Sequence, residues 1–207
     1  SYSGVTIPIE RAEHMDLSLQ FEDIFCYEAS PGVVSTHEES LETAIPEYCP
    51  DMARIVDTVG RLTIRERQLT EAHCTVSGSV KVTVLYTSEE AVGLRSLSVS
   101  VPFSCVLDDR SLAGCGTLFA EGRVLLAEAR AVTSRKLYVK VMPEITVTGY
   151  RAVKRRIACG VQDGAAICTR RQKLELSLLT AVSEKGFSFT DDVLLDNGCT
   201  PEDILLH

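Results

Sequence analysis

Cysteine and histidine are the residue types in this chain that could bind a metal or attack a substrate. Its 207 residues include eight cysteines and four histidines. No CxxC or CxxH spacing occurs, and the adjacent pair His73–Cys74 stands alone. Zinc and iron–sulfur sites use closely spaced ligands, so the pattern predicts no metal site and no cofactor.

Catalytic motifs are also missing. GxSxG, HExxH, the P-loop and GxGxxG do not occur in the sequence. His37 and His73 remain as candidate bases, but a Cys–His pair would have to be assembled in space, and solvent-facing histidines are the favoured interpretation. The acidic clusters Glu38–Glu39, Glu89–Glu90 and Asp191–Asp192 lie in turn-like sequence and fit solvated loops better than paired catalytic carboxylates. We therefore expect a chain with no catalytic residues, and a cell-wall hydrolase is the least favoured function.

Six of the eight cysteines fall into two groups by their neighbours. Cys74 and Cys105 lie on the apolar sides of alternating segments and are predicted to be small core residues. Cys49, Cys115, Cys159 and Cys199 lie beside glycine or proline in turn-like sequence, where we expect accessible thiols. Of these, Cys49, Cys115 and Cys199 would cross-link neighbouring subunits under oxidising conditions. The alternative is that they are surface thiols of a reducing cytosol.

Alternation of apolar and polar residues with a period of two dominates the chain. The clearest case is 96–106, and the same pattern covers 17–27, 74–86, 135–149 and 174–182. One apolar face per strand is typical of antiparallel sheets that are buried on one side. The sequence predicts an all-β fold with little helix, either an antiparallel β-sandwich or a curled sheet.

Two local features refine this prediction. In 17–27 the apolar face contains Leu19, Phe21 and Phe25. Pro102 and Pro143 interrupt strands and cannot donate to a sheet, so each should lie on an edge or at a bulge.

Asp163–Gly164 fits a two-residue type I′ turn. In that register Cys159 faces Cys168 with Cα atoms about 4.5 Å apart, near the lower limit for a disulfide. A disulfide and a pair of unbonded thiols both remain open. Arg156 would face Arg171, which is repulsive unless an acidic partner lies nearby.

Charge is distributed unevenly. The net charge of −8 argues against general nucleic-acid binding. The first 60 residues hold twelve acidic and two basic residues, whereas 151–173 hold seven basic residues and one acidic residue. This is either uneven solvated surface or a pair of complementary poles that steer one copy onto the next. In the second interpretation the basic contact patch is Lys154, Arg155, Arg156, Arg170, Arg171 and Lys173. No apolar run approaches 18 residues and no secretory signal is visible, so membrane insertion is not expected.

The segment Ile45–Asp51 reads IPEYCPD and precedes the valine-rich segment Val80–Tyr86. Further segments of interest are Phe25–Glu28, Pro102–Ser104, Ala131–Leu137 and Asp192–Leu205. Together they resemble the SPOCS domain of SipL-like spore-coat and exosporium proteins from endospore-forming Firmicutes. Relatives of that kind often carry a LysM domain, and no LysM-like stretch occurs here.

The resemblance implies a role in building the spore envelope through protein–protein contacts. The motif residues Pro46, Cys49, Pro50 and Asp51 would then be structural and fix a turn. It also implies synthesis in the mother-cell cytoplasm without a signal peptide, followed by placement on the spore surface. The expected organisation is an N-terminal strand segment at 1–40 that packs on or exchanges with the module, a SPOCS-like β core at 41–150, and a C-terminal hairpin and connecting segment at 151–207.

We expect a structural protein that assembles with itself into a coat or exosporium layer or filament, through charge complementarity and disulfides. The alternative is a morphogenetic adaptor that binds another spore-coat protein without polymerising.

Overall fold

Eight strands make up most of the described chain. The computed structural model describes residues 18–90, 92–162, 175 and 177–186. The strands are β1 (Ser18–Ala29), β2 (Val33–Thr36), β3 (Glu39–Ala44), β4 (Arg54–Thr70), β5 (His73–Thr87), β6 (Leu94–Asp108), β7 (Thr117–Thr133) and β8 (Lys136–Gln162). Helix within these residues is limited to a single 3-10 turn at Arg110–Leu112. The predicted all-β class is confirmed. The alternation at 174–182 does not make a strand in its described residues, 175 and 177–182, which belong to none of the eight strands.

The strands form two hydrogen-bonded sheets. β4, β5 and β6 make a three-stranded antiparallel sheet in chain order. β8 is the centre of a five-stranded sheet, because every other strand of that sheet pairs with it. β7 pairs with residues 136–150 of β8, while β3 pairs with 136–141 and β2 with 144–147.

The apolar faces of both sheets share one hydrophobic core. The fully buried side chains include Val80, Val82 and Val84 of β5 and Leu137, Val139, Val141, Ile145 and Val147 of β8. Their alternation with more exposed neighbours is the pattern that the sequence showed. Burying one such side chain contributes about 1.5–3 kcal/mol, so this shared face is the main source of stability.

Both prolines lie where a missing N–H group is tolerated. Pro102 belongs to β6, an edge strand of the three-stranded sheet. Pro143 faces Val124 of β7, where the register between β7 and β8 shifts by a bulge. On its other side the Pro143 carbonyl accepts a hydrogen bond from the N–H of His37, in the gap between β2 and β3. The prediction for both residues is confirmed.

The predicted inward face of β1 is wrong. Leu19, Phe21 and Phe25 are exposed by 43%, 48% and 73%, whereas Cys26 on the opposite face is buried. None of the described β1 side chains belongs to the shared core. Alternation identifies which residues share a face, but it does not tell whether another sheet covers that face.

Contacts divide the described residues into two compact units. The larger unit comprises residues 28–151 and 182–186 and contains the shared core. The smaller unit comprises the described residues of 18–27 and 152–181. It is built on the pairing of β1 with β8, and the N–H of Tyr27 also donates to the carbonyl of Leu179 at 2.8 Å. Residues 28–40, predicted as part of an N-terminal segment, belong to the larger unit.

Candidate functional site

The segment Ile45–Asp51 forms a turn between β3 and β4, and we call it the motif turn. Ile45 at its start and Met52 just after it are buried in the core. The N–H of Ile45 donates to the carbonyl of Arg135 at 3.0 Å, and the N–H of Met52 donates to the carbonyl of Ser134 at 2.9 Å. Within the turn, the N–H of Cys49 donates to the carbonyl of Pro46 at 3.0 Å. The motif turn is therefore docked on the hairpin between β7 and β8.

Arg135 holds the motif turn through its guanidinium group. One terminal nitrogen, Nη1, donates to the Cys49 carbonyl at 2.6 Å and to Asp51 Oδ1 at 3.0 Å. The other, Nη2, donates to the Pro46 carbonyl at 3.0 Å. A planar guanidinium presents its donors in a fixed fork, so one side chain fixes both ends of the turn.

Asp51 is held in its ionised form by the same hairpin. The Ser134 hydroxyl donates to Asp51 Oδ2 at 2.7 Å. This hydrogen bond, followed by the bond from Arg135, holds the pKa of Asp51 below its ordinary value. Because both groups stabilise the charged carboxylate, its negative charge helps to keep the turn closed.

Tyr86 of β5 also holds the motif turn in place. Its hydroxyl donates to the Pro50 carbonyl at 3.3 Å. Burial, with a smaller effect of the neighbouring Cys49, raises the pKa of Tyr86 to about 12. The phenol therefore stays neutral at physiological pH and acts as a hydrogen-bond donor.

A surface groove of about 510 Å³ lies beside the motif turn. Tyr48 lines it and is 87% exposed. Charged residues of both signs complete much of the lining, namely Glu47, Glu90, Arg95 and Arg135. An aromatic ring among carboxylates and guanidinium groups suits recognition of another polypeptide. No histidine is among the described residues that line the groove.

The prediction that Cys49 and Cys115 are accessible loop thiols is wrong. Both residues are buried, with 8% exposure each. Cys115 packs on Gly149 of β8, where a Cβ atom would lie 2.6 Å from its sulfur, and its thiol donates to the Ser111 carbonyl at 3.7 Å. A position in a turn does not ensure exposure when the turn itself packs on a sheet.

The remaining cysteines have mixed outcomes. Cys74 and Cys105 are core residues as predicted, and burial raises the pKa of both thiols. The six described cysteines are unbonded thiols, and among them Cys159 is the exposed one. Cys168, Cys199 and the Asp163–Gly164 turn lie outside the described residues. The Cys159–Cys168 disulfide and the cross-link through Cys199 therefore stay predictions.

Two of the three described members of the basic patch, Lys154 and Arg156, contact β1 of the same chain. Lys154 Nζ lies 2.8 Å from Asp23 Oδ2 and 5.8 Å from the centre of the Phe25 ring. The Arg156 guanidinium lies 4.7 Å from the centre of the Phe21 ring. Arg155 also lies within the described strand. Arg170, Arg171 and Lys173 lie outside the described residues.

Acidic residues of the first 60 positions have partners on β8. In each case the carboxylate belongs to β1 or to the segment from β2 to β3. The pairs are Asp23–Lys154 (2.8 Å), Glu28–Arg151 (3.8 Å), Glu38–Lys140 (2.7 Å) and Glu42–Lys136. Two of these pairs, Asp23–Lys154 and Glu28–Arg151, join the acidic and basic segments that the sequence singled out, and they do so within one chain.

The two candidate bases are not in the groove. His37 lies between β2 and β3, with its ring 5.8 Å from the Phe103 ring and Nε2 3.9 Å from Glu39. His73 begins β5, and its Nδ1 lies 2.5 Å from Asp108 Oδ1. The hydrogen bond to this carboxylate, more than any other contact, raises the pKa of His73.

Sequence reasoning missed Ser134 and Arg135. Both belong to Ala131–Leu137, which contributed to the resemblance, but nothing in that segment assigned them a role. Their partners are more than 80 residues away in the sequence. Local spacing cannot reveal a contact of this range.

Comparisons with known proteins give no relative. No family model, no curated protein and no solved structure matches the chain. In the described part of the chain, no helix has the length and apolarity of a membrane span. The described residues also contain no group of three or more His, Cys, Asp or Glu side chains placed to hold a metal ion.

Proposed function

We propose that this chain is a non-enzymatic structural protein of the bacterial spore envelope, a SPOCS-like module that associates with further copies of itself in the coat or exosporium. The hydrogen bonds that hold the motif turn support a structural role rather than a catalytic one. The polar groups of Arg135, Ser134 and Asp51 bond one another and the backbone of the turn. A site for chemistry would instead present such groups to a substrate.

Self-association is supported by the surface of β1. Leu19, Phe21 and Phe25 leave large apolar surfaces exposed. The basic groups of Lys154 and Arg156 on β8 lie over the two phenylalanine rings. Apolar surface beside charge is typical of surfaces that bind another protein. Among the described thiols, Cys159 is the exposed candidate for a covalent link between copies.

Synthesis in the mother-cell cytoplasm and placement on the spore surface belong to the same proposal. They rest on the segments that resemble the SPOCS family, with Ile45–Asp51 as the most specific. A fluorescent fusion in sporulating cells tests this part. We expect a shell around the forespore, and a diffuse mother-cell signal would contradict it.

Light scattering coupled to gel filtration, followed by negative-stain electron microscopy, tests assembly. The reduced full chain at low salt should form oligomers or filaments whose size increases with protein concentration. A protein that remains monomeric over the whole concentration range would overturn the proposal.

The groove supports a second candidate, an adaptor that binds a different coat protein. Tyr48 is exposed there among charges of both signs. A pull-down from sporulating cells should then recover a heterologous partner, which Tyr48→Ala should lose. Val92→Ala is the control, because Val92 is 98% exposed and does not line this groove. Partner recovery without homo-oligomers would favour the adaptor.

A further inference from the structure

β1 contributes no side chain to the hydrophobic core of the larger unit. None of its described side chains belongs to that core. By contrast, β2 contributes Val33 and β3 contributes Leu41 to the surface packed against the core. Removing β1 from β8 would therefore leave no cavity in the core.

Two hydrogen bonds between Ser30 and Gly149 fix the chain at the point between β1 and β2. The N–H of Ser30 donates to the Gly149 carbonyl at 2.7 Å, and the N–H of Gly149 donates to the Ser30 hydroxyl at 2.9 Å. Pro31 follows and has no N–H to give to β8. The two bonds keep β2 in place, while the missing ladder bond at Pro31 makes this the natural point for β1 to diverge.

The contacts between β1 and β8 involve opposite charges and cation–ring pairs. They include Asp23 with Lys154, Phe25 with Lys154, Phe21 with Arg156, Glu28 with Arg151, and the Cys159 thiol, which donates to the Gln20 carbonyl at 3.5 Å. None of them depends on the two strands belonging to the same chain. Exchange of identical elements between copies is a low-cost route to oligomers, because it preserves every contact.

We propose that β1 of one copy pairs with the basic end of β8 in a second copy, from Arg151 to Gly160, and that this strand exchange is how the module associates. The inference rests on the proposed self-association and names its contact surface. The occupant is a second copy because the charges that hold β1 in place are those of this chain. A strand added in this way brings backbone hydrogen bonds, which give affinity, and side-chain contacts, which fix the register.

A designed disulfide can report which β8 each β1 occupies. An ideal Cβ on Gly160 would lie 3.7 Å from the Cβ of Gln20, within the range for a disulfide. The closest neighbour of that Cβ, at 2.9 Å, is the Gln20 side-chain oxygen, which Gln20→Cys removes. The variant carries Gln20→Cys and Gly160→Cys, with Cys159, Cys168 and Cys199 replaced by serine so that competing thiols are removed.

The variant is oxidised with diamide at a series of protein concentrations and run on a non-reducing denaturing gel. Dilute protein should give an internally bridged monomer. Concentrated protein should give a ladder of disulfide-linked dimers and higher species, which collapses on reduction. Controls with Gln20→Cys alone or Gly160→Cys alone can reach a dimer but no ladder.

The outcomes separate the two proposals. Monomer bands at concentrations where light scattering shows oligomers would overturn strand exchange and leave self-association standing. Absence of oligomers at every concentration would overturn both.

A charge-reversal pair gives a second readout that does not depend on the designed disulfide. Asp23→Lys places like charges opposite each other within one chain, and so does Lys154→Asp. Mixing the two variants restores opposite charges solely across exchanged strands, whereas the double variant restores them within each chain. We expect the mixture to associate roughly fivefold more tightly than either variant alone, the scale of one exposed ion pair. A mixture no better than its components would overturn the exchange.

Discussion

Replacing Arg135 with methionine should destabilise the protein by about 2 kcal/mol. The guanidinium donates to the carbonyls of Cys49 and Pro46 at 2.6 and 3.0 Å. A bond from a charged donor contributes about 1.5–3 kcal/mol, and we reduce this to about 1 kcal/mol each because the side chain is 39% exposed. Methionine keeps the apolar stem but donates to neither carbonyl. Arg135→Lys should lose about half as much, because an ammonium group cannot span both carbonyls as a planar fork does.

Urea unfolding measures this loss. With a denaturant slope of roughly 2 kcal/mol per M, the midpoint should fall by about 1 M in Arg135→Met. Arg123→Met is the matched control, because Arg123 is 72% exposed and its described bond goes to the Glu144 side chain. An equal shift in both methionine variants would refute the role of the backbone carbonyls. A fully stable Arg135→Lys would refute the role of the forked geometry.

Three further expectations follow from the same contacts. Gly78→Ala should destabilise the protein by roughly 1–3 kcal/mol in urea unfolding, because the added Cβ would collide with a backbone carbonyl oxygen of β4. Gly116→Ala is the control, since no atom lies near its added Cβ, and its unfolding midpoint should not change. Asp108 raises the pKa of His73, so this pair stabilises the fold fully below the ordinary histidine pKa of 6.5 and less as pH rises through the raised folded value. Asp108→Asn should abolish this loss of stability above pH 6.5 in urea unfolding, and an unchanged pH profile would contradict the pairing. After brief alkylation of the native protein, peptide mapping should show modification of Cys159. The buried thiols should react fully only in urea, and their full modification without urea would contradict the structure; they are Cys26, Cys49, Cys74, Cys105 and Cys115.

Much of the fold could be predicted from alternation, and its failure in β1 has a physical cause. In β6 the period-two pattern correctly places Leu97, Val101 and Phe103 in the core. The same pattern in β1 selected Leu19 and Phe21, which are exposed. The period follows from strand geometry and is local, whereas covering a face requires a second sheet formed by distant residues.

The candidate site was less accessible to prediction. The motif turn could be located because its proline and cysteine residues stand out in the sequence. Its anchor at Arg135 lies 84 to 89 residues away in the sequence and has no local signature. The exposure of Cys49 and Cys115 was mispredicted for a related reason, since the packing of a turn on a sheet is a long-range property.

Salt dependence distinguishes strand exchange from docking of charged poles. In docking, association creates ion pairs that the separate copies lack, so raising salt from 0.05 to 0.5 M should weaken it strongly as the Debye length shortens. In exchange, the pair of Asp23 with Lys154 is broken within one chain and formed again between two. Screening weakens both states alike, so the association constant should change little over that range. Sedimentation velocity of the reduced protein measures this constant, and a steep fall with salt would contradict exchange and favour docked poles.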